Sequence, residues 1–442
     1  MSKLDQTILG TALGRRTFLK GAAATAALPA LGALGGHALA QETVNLTFWA
    51  WTPHTQDQVD MFMKKYPNIK VTLENIGGGD QNTKIRAALK AGTGYPDVVQ
   101  AEFQRIPSFR AIDALLDQGP YGGNDVKSQF VDWAWDSVSD GDAVYAMPWD
   151  SGPMGLLYRA DIFEAAGFTT PPDTWAGFAD AAKKYAAENP GKFLTNFGAN
   201  NGGWLIGVLW QAGSKPFEIN GADMKIAIND APAKKWAAYW QDLLDAKAVD
   251  LTPNWTPEWF TGFDNGTIAS WIAAAWSPVQ LTNVAKESIG KWKAAPIPAW
   301  NAGEKGTSNW GGSTFAVIKP TAHPKEASLF AQFMATDDEA TRQYNTKQFL
   351  FPVRKALLED PELMGTKSDF YGGQAVNEVF AEAAANVLPG YVFSPFHDVF
   401  ANALQDNVSA AAAGNGTLSD ALDKTQEAIV AYATDQGYNV TT

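Results

Sequence analysis

From residue 44 the chain alternates as a strand does. In "VNLTFWAW", Val44, Leu46, Phe48 and Ala50 fall on one side and Asn45, Thr47, Trp49 and Trp51 on the other. Val59, Phe62, Met63 and Tyr66 then recur at helical spacing up to Pro67, which cannot continue a helix. Ile69, Val71 and Leu73 alternate again. Past the run "GGGDQNTK", read as a flexible turn with Asp80 near a helix start, Ile85, Ala88 and Leu89 return to helical spacing, and Pro96-Asp97 opens the apolar "VVQ". Strand, helix, strand, helix, strand predicts a parallel sheet with helices packed on it.

The same periods recur downstream. Phe178, Ala181, Ala182 and Tyr185 make one helix face, and Trp236, Tyr239, Trp240, Leu243 and Leu244 another. Residues 267–272 and 313–318 are further strand candidates, and the last hundred residues read as alanine-rich helix broken near Pro389-Gly390. At 442 residues the chain exceeds what one hydrophobic core serves. Without a repeat or a low-complexity linker, the pattern predicts two α/β lobes joined by several chain crossings.

The first forty residues read differently. Arg15-Arg16-Thr17-Phe18-Leu19-Lys20 precedes a weakly apolar stretch, and Ala38-Leu39-Ala40 supplies a small-x-small cleavage pattern. "GRRTFLKG" resembles the twin-arginine export signal. Removing residues 1–40 takes away four basic groups and one acidic group, so the formal charge of −13 becomes −16. That balance, with basic residues thinly spread, argues against a nucleic-acid partner. The absence of cysteine excludes disulfides, thiolate metal sites, a cysteine nucleophile and a lipid-modified cysteine anchor. No later apolar run reaches the roughly twenty residues that span a bilayer. The expected location is therefore the periplasm, with the chain soluble and not lipid-anchored.

Catalytic signatures are sparse. His54, His323 and His397 show no metal-ligand spacing, and "DSGPMG" around Ser151 lacks the flanking pattern of a nucleophile elbow. Glu102 and Asp150, each just past a strand, are the one pair that could serve a glycoside hydrolase. Aromatic chemistry is richer: 17 tryptophans follow the leader. Trp236 and Trp240 lie on a helix stripe and read as core. Trp51, Trp149, Trp204, Trp276 and Trp310 instead sit at strand-to-loop junctions beside Pro, Gly, Asp or Asn. Their planes suit the apolar faces of sugar rings, with carboxylates and amides at the hydroxyl rim. Micromolar capture needs about 8 kcal/mol, which a few hydrogen bonds to charged groups at roughly 1.5–3 kcal/mol each plus buried ring faces supply.

Residues 145–185, "YAMPWDSGPMGLLYRADIFEAAGFTTPPDTWAGFADAAKKY", resemble the signature segment of extracellular sugar-binding proteins of ABC importers, the maltose-binding-like cluster. "LTFWAW", "YPDVV", "FDNGTIASWIAAAW" (263–276) and "WGGSTFAVIKPTAHPKEASLFAQFM" (310–334) follow the same family order. The resemblance implies the type II periplasmic binding fold: two α/β lobes, a hinge and an interlobe ligand cleft. It places lobe 1 at 41–149 plus about 311–365, and lobe 2 at about 150–310 plus about 366–442. It implies a monomer without cofactor or metal that binds a sugar or sugar derivative, closes on it, and is read by inner-membrane permease subunits. By segment, it brings Trp51, His54, Glu102, Phe103, Trp149, Asp150, Trp204, Trp276, Trp310, Gly311, Gly312, Arg354 and Tyr391 (or Phe396) to the cleft. Two alternatives stay open: an exported carbohydrate-active enzyme using Glu102 and Asp150, and the same fold holding a polyamine or another small solute.

Overall fold

The computed structural model describes residues 43–347 and 350–442. The expected export signal, residues 1–40, lies outside them.

Strand β1 (Val44–Ala50) buries Leu46, Phe48 and Ala50 as the alternation requires. It buries Trp49 as well, because helices cover both faces of a parallel sheet and the polar side disappears toward the strand's end. Helix α1 (Thr55–Lys65) presents Val59 and Phe62 to the core. It closes where the Tyr66 N–H reaches the Phe62 carbonyl, one residue before Pro67. Strand β2 (Ile69–Asn75) follows. Helix α2 (Gly78–Ala91) begins inside the glycine run where a turn was expected, and ends on Gly92 at φ 72°, a left-handed cap that favours glycine. Strand β3 (Val98–Glu102) completes the local unit.

β1 lies between β2 and β3 and is parallel to both. The rest of this sheet comes from far along the chain. Ser313–Val317 pairs antiparallel with β3, Ser313 opposite Glu102, and Ala146–Pro148 pairs antiparallel with Ser313–Val317. The second lobe is built on Met154–Arg159, buried along its whole length between Ser270–Ala274 and Trp292–Pro296. Every pairing in this smaller sheet is antiparallel, which the helix–strand alternation did not indicate. Trp175–Glu188 and Ala231–Asp245 pack their predicted faces inward, and the C-terminal stretch resolves into helices Val376–Ala385, His397–Ala412 and Leu418–Asp435.

Two hydrophobic cores result. One gathers Phe48, Val98, Met147, Trp149, Phe315, Phe330 and Val353; the other gathers Met154, Trp175, Trp204, Trp240, Trp271, Phe380 and Leu422. The chain passes between them three times, near residues 149–154, 310–315 and 351–357. These crossings lie side by side. Asp150–Ser151 pairs with Phe351–Pro352. The Trp310 N–H donates to the Gly152 carbonyl at 2.8 Å, the Gly152 N–H to Asn309 Oδ1 at 2.8 Å, and the Trp149 N–H to the Ser313 carbonyl at 3.0 Å. A Cβ on residue 152 would stand 2.0 Å from the Trp310 carbonyl oxygen, so no other residue fits there without parting the strands.

Gly152→Ala is therefore expected to cost about 3 kcal/mol of stability in urea unfolding, as overpacking against fixed backbone does. The control Gly77→Ala, whose added Cβ meets nothing within 4 Å, should stay within about 1 kcal/mol of wild type.

Candidate functional site

Between the two cores lies a cavity of about 330 Å³. From the first lobe, the end of β3 and the turn after it bring Glu102, Gln104 and Arg105 to its wall. Phe103 anchors that turn: its ring is buried 5.5 Å from Trp133, leaving its neighbours to face the cleft. From the second lobe, Asn201 caps helix Gly202–Gln211 by accepting from the Trp204 N–H at 3.1 Å. The other end of that amide, Asn201 Nδ2, is buried without a partner among the described residues. Asp398, Asn402 and Gln405 recur at helical spacing along His397–Ala412 and line the cavity from one face. The crossing segment adds Asn309, Trp310 and Gly311.

One aromatic residue dominates the wall. Trp255 is 44 % exposed, the one tryptophan among the described residues left substantially open to solvent. Its backbone sits at φ 72°, a conformation costly for a bulky residue and typical of positions held for function. The hold is visible. Asn254 donates its N–H to Asn200 Oδ1 at 2.9 Å and accepts from Asn196 Nδ2 at 2.8 Å. The indole stacks on Trp276 with centroids 6.0 Å apart at 24°, and Trp276 Nε1 is itself fixed to the Trp310 carbonyl at 2.9 Å. A flat apolar plate is thus presented beside asparagine and glutamine side chains, the pairing that suits a ring with hydroxyls around its edge.

Of the residues expected at the cleft, Glu102, Trp310 and Gly311 line this cavity. Trp276 stands behind it as the support of Trp255. Trp204 is core, its indole donating to the Ile272 carbonyl at 3.0 Å. Trp149 is core too, packed on Phe315 at 4.7 Å and Tyr344 at 4.2 Å. Gly312 serves the crossing, at φ 94°, where an added Cβ would stand 2.7 Å from the Asp150 carbonyl oxygen. Arg354 is buried and tied to Thr341, Gln129 and Asp338, so its charge braces the third crossing. His54, exposed at φ 62°, starts α1, and the Trp51 N–H donates to Gln100 Oε1 at 3.2 Å; neither lines the cavity. Tyr391 stacks on Trp210 at 4.4 Å and lines a separate cavity of about 570 Å³, while Phe396 is core. Asp150, expected to accept from a ligand, instead accepts from the Ser313 N–H at 2.9 Å and from the Ser313 hydroxyl.

The sequence profile of the bacterial extracellular solute-binding proteins matches residues 48–341. The chain belongs to that family. Among its relatives is the lactose-binding protein of Rhizobium radiobacter, 26% identical over 388 residues that cover 83% of this chain and 86% of the relative. An arabinooligosaccharide-binding protein of Bacillus subtilis is 25% identical over 367 residues, covering 79% and 83%. The structure of the ABC-transporter-associated binding protein of B. animalis subsp. lactis Bl-04, in complex with β-1,6-galactobiose, superposes with a TM-score of 0.77 at 32% identity, over 91% of this chain and 100% of that one. The galacto-N-biose/lacto-N-biose I-binding protein of Bifidobacterium longum, in complex with lacto-N-biose, gives 0.80 at 27% identity, over 90% and 99%.

Two buried groups of this solute-binding protein give its stability opposite pH dependences. Burial pushes the Asp150 carboxyl up to about 6, against the lowering effect of its Ser313 hydrogen bonds, and the charge of Glu102 adds to the rise. The unfolded carboxyl titrates near 3.9, so between about pH 4 and 6 the folded state holds a proton the unfolded chain has lost. Stability drawn from this residue falls as pH rises through that window. His397 is the reverse: burial, and then the Arg105 charge, push its imidazole down to about 3. The unfolded chain gains that proton near pH 6.5, so stability is lost as pH falls below it. Urea unfolding at pH 4 and pH 7 should show Asp150→Asn gaining about 2 kcal/mol relative to wild type at the higher pH. His397→Gln should flatten the loss below about pH 6.5.

Proposed function

We propose that this protein captures a neutral sugar in the interlobe cavity and delivers it, unaltered, to the permease subunits of an ABC importer by hinge closure. The observation that carries the reading is the exposed, backbone-strained Trp255 plate lining one cavity with the amides of Asn402 and Gln405. A stacked indole contributes through the apolar face of a sugar ring, and amides that both donate and accept match its hydroxyls. The cavity volume falls in the range of small-molecule sites. Of the sugars named for the relatives, lactose, β-1,6-galactobiose and lacto-N-biose are neutral and of two rings, and arabinooligosaccharides are neutral too, which agrees with that chemistry.

The charges point the same way. Arg105 engages both cavity carboxylates, Glu102 at 3.2 Å and Asp398 across the cleft, so the wall offers neither a free acidic cluster to a polyamine nor an unpaired base. Asp150 belongs to the crossings, so Glu102 and Asp150 do not flank a shared space as hydrolase carboxylates would. We further read residues 1–40 as a cleaved twin-arginine leader and the mature chain as a periplasmic monomer. No helix among the described residues is long and apolar enough to cross a membrane. The lobes divide near residues 149, 310 and 355, a boundary about ten residues earlier than the resemblance implied.

A thermal-shift panel of neutral mono- and disaccharides, acidic sugars and polyamines tests the reading, since a ligand that binds the folded state alone raises Tm. A neutral sugar should shift Tm, and calorimetry should show Trp255→Ala weakening it about tenfold or more, about 1.4 kcal/mol, with unchanged circular dichroism. A shift by polyamines alone, or release of sugar products that Glu102→Gln abolishes, overturns it.

A further inference from the structure

The 330 Å³ cavity does not end at a wall of backbone. On one side it meets the ion pair between Arg105, from the turn after β3 in the first lobe, and Asp398, in the first turn of His397–Ala412 in the second. Arg105, Asp398, Gln104 and His397 line this cavity and also a second one of about 420 Å³. Ala111, Pro395 and Tyr438 in turn line both that second cavity and the third, of about 570 Å³. Phe393 lines the first cavity and the third, so the three chambers lie around segment 391–398 in one groove between the lobes. The ion pair joins first lobe to second between the first two chambers.

The third chamber also carries aromatic rings. Tyr391 is laid flat on Trp210 at 4.4 Å and 16°, and Tyr145 carries the Arg110 guanidinium at 4.4 Å over its ring. Asp136 and Asn220 stand beside them. Aromatic faces beside acceptors and amides are what a further sugar ring would need.

The partition is built to separate. The Arg105 side chain is 19 % exposed and that of Asp398 57 %, so the attraction is screened by solvent and salt and is weak as ion pairs go. Arg105 also holds Glu102 within its own lobe. When Asp398 withdraws, the guanidinium keeps a partner and no charge is stranded.

Resting on the sugar reading above, we propose that the Arg105–Asp398 pair partitions the interlobe groove by ligand length. With the pair closed, the inner cavity takes a short neutral sugar. With it parted, the two chambers beyond become subsites for the additional rings of a longer oligosaccharide.

The test is calorimetric titration of the full chain with lactose, β-1,6-galactobiose and β-galacto-oligosaccharides of three to five rings. The quantity read is the affinity for the longest sugar divided by that for the two-ring sugars. In wild type it should lie below one. Asp398→Ala and Asp398→Asn should each raise it about tenfold, and the exchange R105D/D398R, which restores a pair of opposite sign, should return it toward the wild-type value. Raising salt from about 50 to about 500 mM should increase the ratio in wild type and leave it unmoved in D398A. A ratio unchanged in both single variants overturns the proposal, as does a wild-type preference for five rings, or a single-variant effect that the charge exchange fails to reverse. Binding of either two-ring sugar leaves the sugar reading standing in each of those cases. If none of the sugars binds wild type, the partition falls here, and the fate of the sugar reading is decided by the wider thermal-shift panel.

Discussion

Contact between two stretches of backbone, Gly152 against the Trp310 carbonyl, sets the terms for the rest of this protein. On the hinge-closing reading the lobes cannot share a sheet, yet they must keep a common register. The chain meets both demands by making its three crossings adjacent and pairing them over only a few residues. From there a line of side chains carries the register into the first lobe. Asp150 accepts from Ser313, Ser313 accepts from Gln100 Nε2 at 3.1 Å, and the Gln100 amide oxygen accepts from Trp51 and Thr52 in the loop after β1. A carboxylate buried at the centre of such a line is costly. Its pKa near 6 reflects that cost, and the hydrogen bonds around it are what keep it ionised at neutral pH.

Much of the first lobe was legible because its signals are local. Period-two and period-3.6 stretches follow one another without interruption from Val44 to Glu102, and the helix stop at Pro67 is written in the chain. The second sheet was not legible, since antiparallel pairing among residues 154–159, 270–274 and 292–296 is a matter of which distant strands meet. At the site, of the five tryptophans singled out beside turn residues, Trp310 lines the cavity and Trp276 stands behind it, while Trp149 and Trp204 are core. Trp149 and Trp204 share the local sequence character of a cleft residue, yet their rings point into cores; a junction does not disclose which way a side chain turns. Asp150 misled for the same reason. Trp255 was passed over because its prominence comes from a left-handed backbone that Asn254, Asn196 and Asn200 impose from elsewhere. The hint available was the run Pro253-Asn254-Trp255-Thr256-Pro257, a large aromatic set between two prolines.

Rigidity is unevenly distributed around the cleft. Trp255 rests on Trp276, Trp271 and Trp259, a pile of indoles that fixes the plate before any ligand arrives and so lowers the ordering cost of binding. Across the gap, the first lobe offers long, charged and adaptable side chains, Glu102, Gln104 and Arg105. One wall is ready-made and the other conforms, which suits lobes that approach each other around a guest.

The strand Ser313–Val317 has a consequence for how the chain is made. Gln100 and its partner Ser313 are 213 residues apart, and β3 has no neighbour on that side until Ser313–Val317 is synthesised. During translation the first lobe must therefore wait, with an apolar strand edge open, while almost all of the second lobe's sheet emerges from the ribosome. Such an edge invites mispairing, and closure over so long a loop is slow. The order of the segments along the gene thus makes the first lobe begin early and finish late.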